Sequence, residues 1–172
     1  MEIRPLQQGD SRSQFRSGDP HLDRFFHEFA GQNQFKHSVG VTYVAIEEGH
    51  IFGYATVAPG QIEIEELPAS VRKNLPNYPA PILRLARLAV SESARGKGVG
   101  NMLLRFVLKL AVRMADEYGC IGVVVDAKPD AVDFYAKYLF IPLAVFEGQS
   151  EVRPLQRAMF LSVRVIKGAV RT

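Results

Sequence analysis

The sequence predicts an α/β fold of the mixed α+β kind: a central, mostly antiparallel sheet with helices on both faces. Three observations predict it. A hairpin pattern stands early in the chain. Later come two almost continuously apolar strands, 82–90 and 120–127, separated by a long amphipathic helix, which makes one β-α-β crossover. The 172 residues carry no repeat, low-complexity tract or linker, so 1–172 is expected to be a single domain.

The elements follow in order. The first residues, MEIRPL, alternate weakly and make a short strand. DPHLDRFFHEFAGQ reads as a helix: Asp19 caps it, Pro20 suits the first turn, and Leu22, Phe25, Phe26 and Phe29 fall on one face. A hairpin follows, with strands at about 41–47 and 51–58 and a turn at Glu48-Gly49-His50. ELPASVRKNLPNYPAP gives a helical turn and a proline-punctuated loop. The helix 99–118 turns Leu103, Leu104, Val107, Leu110, Ala111 and Met114 inward. A helix over 129–139 and two final strands, in IPLAVFEG and PLQRAMFLSV, complete the chain.

Composition narrows the class. Hydrophobic residues make up 47% and charged residues 23%, enough for a core without a disulfide or metal staple. The lone Cys120 excludes an intramolecular disulfide and reads as a buried thiol in a reduced compartment. The N-terminus has no apolar core of a signal peptide, and no apolar run approaches the roughly 18 residues of a membrane span. A cytoplasmic protein with no membrane partner is expected. A net charge of +3 permits a polyanionic partner without requiring one.

The segment Ser-Ala-Arg-Gly-Lys-Gly-Val-Gly, 93–100, lies between a buried strand and the long helix. Glycines let a backbone approach an anion and turn freely, and the helix N-terminus offers unpaired N–H groups and a positive dipole end. Arg95 and Lys97 add charge. A Walker A loop requires G-x-x-x-x-G-K-[ST], and here Gly98 is followed by Val99. A dinucleotide fingerprint requires G-x-G-x-x-G, whereas this spacing is G-x-G-x-G.

The pattern [RQ]-x-x-G-x-[GA] fits at Arg95, Gly98 and Gly100. It resembles the acetyl-CoA pyrophosphate loop of the GNAT superfamily of N-acetyltransferases. Ala-Val-Asp-Phe-Tyr-Ala-Lys-Tyr-Leu-Phe, 131–140, resembles that family's tyrosine helix. The motifs cover 82–142, and the element order extends the likeness to most of the chain. The resemblance implies a GNAT fold and acetyl-CoA as donor. Its pyrophosphate would be clamped by the backbone of Arg95, Gly96, Lys97, Gly98, Val99 and Gly100. Leu88, Ala89 and Val90 would supply the pantetheine contacts and an oxyanion-type N–H. A bulge between Arg84 and Arg87 would put both on one face of their strand.

Departure of the thiolate needs a proton, and the resemblance implies that Tyr135 gives it. A phenol of pKa about 10 is protonated at neutral pH. Tyr138, one turn on, competes for the role, and packing alone is the other reading of both. No general base stands out. Glu63, Glu65 and Glu66 read as a solvated edge, the four histidines lack partner spacing, and no metal is expected. A missing base favours an acceptor that is already largely neutral: an α-amine titrates near about 8, a lysine near about 10.4. Two positions depart from the family. Lys128 replaces an Asn. Leu139 replaces the Gly before Phe140, a change expected to alter only the turn after the helix.

Further stretches resemble one branch, the acetyltransferase toxins of type II toxin–antitoxin systems. They are Leu22-Asp23, Ala30-Gly31-Gln32, Leu67-Pro68, Leu75-Pro76-Asn77-Tyr78-Pro79, Arg87-Leu88-Ala89-Val90 and Asp126-Ala127-Lys128. In that branch Lys128 is expected. The resemblance implies acetylation of the α-amine of aminoacyl-tRNA, a block of translation, neutralisation by a ribbon-helix-helix antitoxin, and a homodimer. Lys36, Arg72, Lys73, Arg84 and Arg87 are the candidates for RNA phosphate contacts. Arg105, Lys109 and Arg113 read as the solvated face of the long helix. Two other readings stay open: an ordinary GNAT acting on a small amine, peptide or protein, and a non-catalytic acyl-CoA-binding module.

Overall fold

The computed structural model describes residues 1–143 and 156–170, the side chain of Val170 excepted. Seven strands are described, in the sheet order β1-β2-β3-β4-β5-β7-β6. They are β1 (Glu2–Pro5), β2 (Val41–Glu47), β3 (His50–Ile62), β4 (Ala80–Val90), β5 (Gly122–Ala127), β6 (Ile141–Pro142) and β7 (Arg157–Ser162). The α-helices are α1 (Pro20–Arg24), α2 (Ala69–Arg72), α3 (Val99–Glu117), α4 (Val132–Lys137) and α5 (Val163–Val170). The sheet is mixed and mostly antiparallel, as the sequence predicts. Among the described residues no helix is long and apolar enough to cross a membrane.

The chain divides into two compact units, one of residues 1–58 and 85–109, the other of 59–84 and 110–172. In the first, β1 and β2 pair antiparallel, with Ile3 opposite Ala45. The β2–β3 hairpin closes on two residues, Glu48 and Gly49, both at positive φ (50° and 78°), the signature of a type I′ turn. His50 is therefore not in the turn; it opens β3 opposite Glu47.

Asp19 caps α1 as expected, its carboxylate accepting from the N–H groups of His21 (2.9 Å) and Leu22 (3.2 Å). The helix then widens into two π-type segments, Phe25–Phe29 and Gln32–Lys36. In the first, the Ala30 N–H reaches back five residues to the Phe25 carbonyl. This extra residue per turn corrects the predicted face. Phe25, Phe26 and Ala30 are buried, whereas Phe29 is 37% exposed. The core here gathers Leu6, Phe15, Phe25, Phe26, Val44, Ile46 and Ala89 around Tyr54. Tyr54 stacks on Phe26 at 4.5 Å and donates its buried hydroxyl to the Leu22 carbonyl at 2.7 Å.

In the second unit, β5 and β7 pair antiparallel, with Val124 opposite Phe160. Ile62, Ile64, Leu67, Ala80, Ile82, Leu143 and these two residues form the core. Glu63 and Glu66 make a capping box around a short 3₁₀ turn, a structural use more specific than a solvated edge. Cys120, just ahead of β5, is buried, and burial pushes its thiol pKa up. The helix predicted over 129–139 starts as a 3₁₀ turn at Pro129–Ala131 and ends at Lys137. Most of the strand predicted in IPLAVFEG, 144–148, lies outside the described residues.

Helix α5 was not foreseen. Met159, Leu161, Val163 and Val165 alternate like a strand, but pairing stops at Ser162, whose hydroxyl accepts from the Val165 N–H at 3.1 Å. Val163 and Ile166 then bury one turn apart. β-branched residues conceal a helix from period-based reading.

Candidate active site

The glycine loop lies in the first unit, between the end of β4 and α3. Ala89 is buried there, with Leu88 and Val90 half-buried on either side. The Ser91 N–H bonds to the Phe52 carbonyl (2.8 Å), and a 3₁₀ turn spans Glu92–Ala94. Gly96 and Gly98 both take positive φ, 77° and 79°. A Cβ at either would meet nothing within 4 Å, so torsion rather than space demands glycine. The Gly98 carbonyl accepts the first helical bond of α3 from Met102 at 3.0 Å. The amides ahead of Met102, those of Val99 to Asn101, belong to the first turn and have no acceptor within the helix. A glycine turn thus leads into the N-terminus of a 19-residue helix, a geometry suited to an anion.

The close entry of α3 depends on a third glycine. A Cβ on Gly53 of β3 would stand 2.8 Å from the Val99 side chain and 2.9 Å from that of Leu103. The charged side chains of the loop differ in their surroundings. Lys97 is exposed, while the Arg95 guanidinium donates to the Ser17 carbonyl.

Tyr135 lies in the second unit, on α4. Its ring is 5% exposed and packs edge-on against Phe134 (5.1 Å) and Phe140 (5.4 Å). Burial pushes its phenol above the ordinary tyrosine range, which keeps it protonated at neutral pH. No sealed side-chain oxygen among the described residues lacks a partner. The Tyr135 hydroxyl, which has no bonding partner there, is therefore open to solvent. Tyr138 sits at the helix C-cap, half-buried, its ring against Phe134.

The turn after α4 is built around Leu139. Phe140 N–H bonds to the Tyr135 carbonyl and Leu139 N–H to that of Ala136, the two bonds of a Schellman motif. Leu139 holds the left-handed position at φ 71°. A leucine at this position places strain in the turn.

A GNAT acetyltransferase domain family model matches residues 38–142, from the second strand through the tyrosine helix to Pro142. The chain belongs to the GNAT acetyltransferases. It is 33% identical over 140 residues to a tRNA-acetylating toxin of Mycobacterium tuberculosis (strain ATCC 25618 / H37Rv), covering 80% of this chain and 82% of that one. Its fold matches AtaT complexed with acetyl-methionyl-tRNAfMet at TM-score 0.84 and 25% identity, over 98% of each chain. A tyrosine-to-phenylalanine variant of the AtaT toxin, bound to the C-terminus of the antitoxin AtaR and acetyl-CoA, has the same fold at TM-score 0.79 and 21% identity. That match covers 99% of this chain and 98% of AtaT.

In this GNAT chain the five RNA-contact candidates divide by environment. Lys36, Arg72 and Lys73 are exposed. Arg84 pairs with Asp126 at 3.3 Å, and the Arg87 guanidinium lies 3.7 Å over the Phe25 ring. A cleft of about 620 Å³ beside Met1, Arg4, Asp10 and Glu47 contains none of the expected site residues. Sequence reading missed the Ser17–Asp23 pair behind Arg95. A link across 78 positions has no local signal.

Proposed function

We propose that this acetyltransferase moves the acetyl group of acetyl-CoA to the α-amine of aminoacyl-tRNA and so blocks translation in the cytoplasm. The observation that carries the reading is the 33% identity, over four-fifths of the chain, to a tRNA-acetylating toxin. The loop supports the donor half: two left-handed glycines lead into a helix start able to receive a pyrophosphate. In the proposed reaction the neutral amine attacks the thioester carbonyl, the C–S bond breaks, and the sulfur leaves as a thiolate. The Leu88–Val90 backbone steadies the pantetheine arm, Tyr135 gives its proton to the sulfur, and the proton that the amine nitrogen sheds on becoming an amide passes to water, from which the Tyr135 phenolate is reprotonated.

The partners in this reading are acetyl-CoA, charged tRNA and a ribbon-helix-helix antitoxin, with the enzyme acting as a homodimer. The AtaT structures with acetyl-methionyl-tRNAfMet, with AtaR and with acetyl-CoA support a tRNA, an antitoxin and acetyl-CoA as partners, whereas the ribbon-helix-helix form of the antitoxin and the homodimer come from the resemblance alone. The test incubates the chain with acetyl-CoA and charged tRNA, then weighs the released aminoacyl group. An added acetyl mass on the α-amine is expected. Transfer to polyamines or peptides but never to charged tRNA would sink the toxin reading and leave an ordinary GNAT.

A further inference from the structure

The donor loop is tied to a segment far away in sequence, residues 16–18. The Glu92 N–H bonds to the Arg16 carbonyl at 2.8 Å, and the Arg95 guanidinium bonds to the Ser17 carbonyl. Gly18, at φ 92°, lies directly under both side chains. A Cβ there would stand 2.8 Å from Arg95 Nη2 and 2.9 Å from Glu92 Oε1. The loop side chains therefore rest on backbone that only glycine leaves bare.

One carboxylate sets the shape of that backbone. Asp23 Oδ1 accepts from the Ser17 N–H at 2.9 Å and from the Ser17 hydroxyl at 2.6 Å. The Ser17 Oγ in turn accepts from the Asp19 N–H at 3.1 Å. Ser17 is one of the few buried polar residues described, and Asp23 is held on α1 behind its Asp19 cap. Two charge-assisted bonds to one oxygen make this a strong polar link.

We propose that Asp23 is a positioning residue for the acetyl-CoA loop. Through Ser17 it fixes the carbonyl on which Arg95 is anchored, and thereby the attitude of the Gly96–Gly100 amides. The inference rests on the reading that this loop receives the pyrophosphate. Asp23 itself needs no contact with the donor. Its loss loosens one support of an anion site whose donors are backbone groups, the others being the Ser91–Phe52 bond and the packing of α3 on Gly53.

Calorimetric titration of acetyl-CoA into the full chain tests it, with thermal unfolding of each variant measured beside it. Asp23→Ala is expected to weaken acetyl-CoA binding about tenfold. Asp23→Asn keeps an oxygen acceptor for Ser17 and should bind within about threefold of the parent. Ser17→Ala, which removes only the hydroxyl, should lie between them. Gly98→Ala probes the loop itself and should weaken binding at least about tenfold. If Gly98→Ala weakens binding while Asp23→Ala and Ser17→Ala bind like the parent with lowered melting temperatures, Asp23 is merely structural and the proposal is overturned. If Gly98→Ala binds like the parent, the loop reading fails first and the positioning role with it. Should Asp23→Ala not fold, Asp23→Asn and Ser17→Ala decide by the same comparison: parent-like binding in Ser17→Ala overturns the role.

Discussion

A buried phenol with an open hydroxyl is a specific arrangement for an acid. Desolvation of Tyr135 favours the neutral form, so the proton is present at neutral pH and remains so well into the alkaline range. Tyr135→Phe should therefore lower turnover about 100-fold or more while acetyl-CoA binding changes little. Parent activity should also show no loss from phenol ionisation up to about pH 9, since the raised value keeps the acid form beyond the ordinary value of about 10. Steady-state rates against pH, beside calorimetric affinities, check both; unchanged turnover in Tyr135→Phe moves the role to Tyr138. Leu139, four residues on, makes the opposite kind of prediction. It is 63% exposed and left-handed, so it buries little to offset its strain. Leu139→Gly should gain about 1 kcal/mol, the relief of the left-handed leucine less the added freedom of the unfolded chain. Denaturant unfolding measures it, and a loss of stability would mean that the leucine side chain holds the turn by packing.

The elements show what a pattern in sequence can and cannot announce. Strands β2 and β4 and helix α3 carry long, consistent apolar patterns, and their bounds fall within two residues of the predicted ones. Where one extra residue enters a turn, periodicity fails. The π-type segment moves Phe29 outward and Ala30 inward, and nothing in DPHLDRFFHEFAGQ marks the change of pitch. In α5 the failure has another cause, because valines at alternate positions satisfy a strand period until Ser162 ends the pairing. The hairpin was legible except for its register. Glu48-Gly49 is the whole turn, and Glu48 bears a left-handed backbone that asparagine adopts more easily. Glu48→Asn should stabilise the protein by about 0.5 kcal/mol, seen as a raised melting temperature. A lowered one would mean that the glutamate side chain contributes more than its backbone loses.

For the molecule as a whole, the family was legible because its motifs are local: Arg95 to Gly100 is a single stretch, and Phe134-Tyr135 a single turn. The acceptor half was legible only as scattered cations, and sequence cannot say which of them are already engaged. Environment separates them. Arg84 is committed to Asp126 and Arg87 to the Phe25 face, whereas Lys36, Arg72 and Lys73 stand exposed. A polyanion gathers affinity from each phosphate whose counterions a cation replaces, with no need for the cations to form one patch. Each of Lys36→Ala, Arg72→Ala and Lys73→Ala should therefore weaken charged-tRNA binding and reduce the slope of log K against log salt by about 0.7 to 0.9. Arg87→Ala should instead lower stability by about 0.5 to 1 kcal/mol through loss of the ring contact, with that slope nearly unchanged. Filter binding of charged tRNA between 50 and 200 mM salt, the roughly fourfold range over which such slopes are resolved, makes the comparison. Three unchanged slopes would remove Lys36, Arg72 and Lys73 from the RNA surface, and a slope lost in Arg87→Ala would show that the guanidinium leaves the phenylalanine to meet a phosphate.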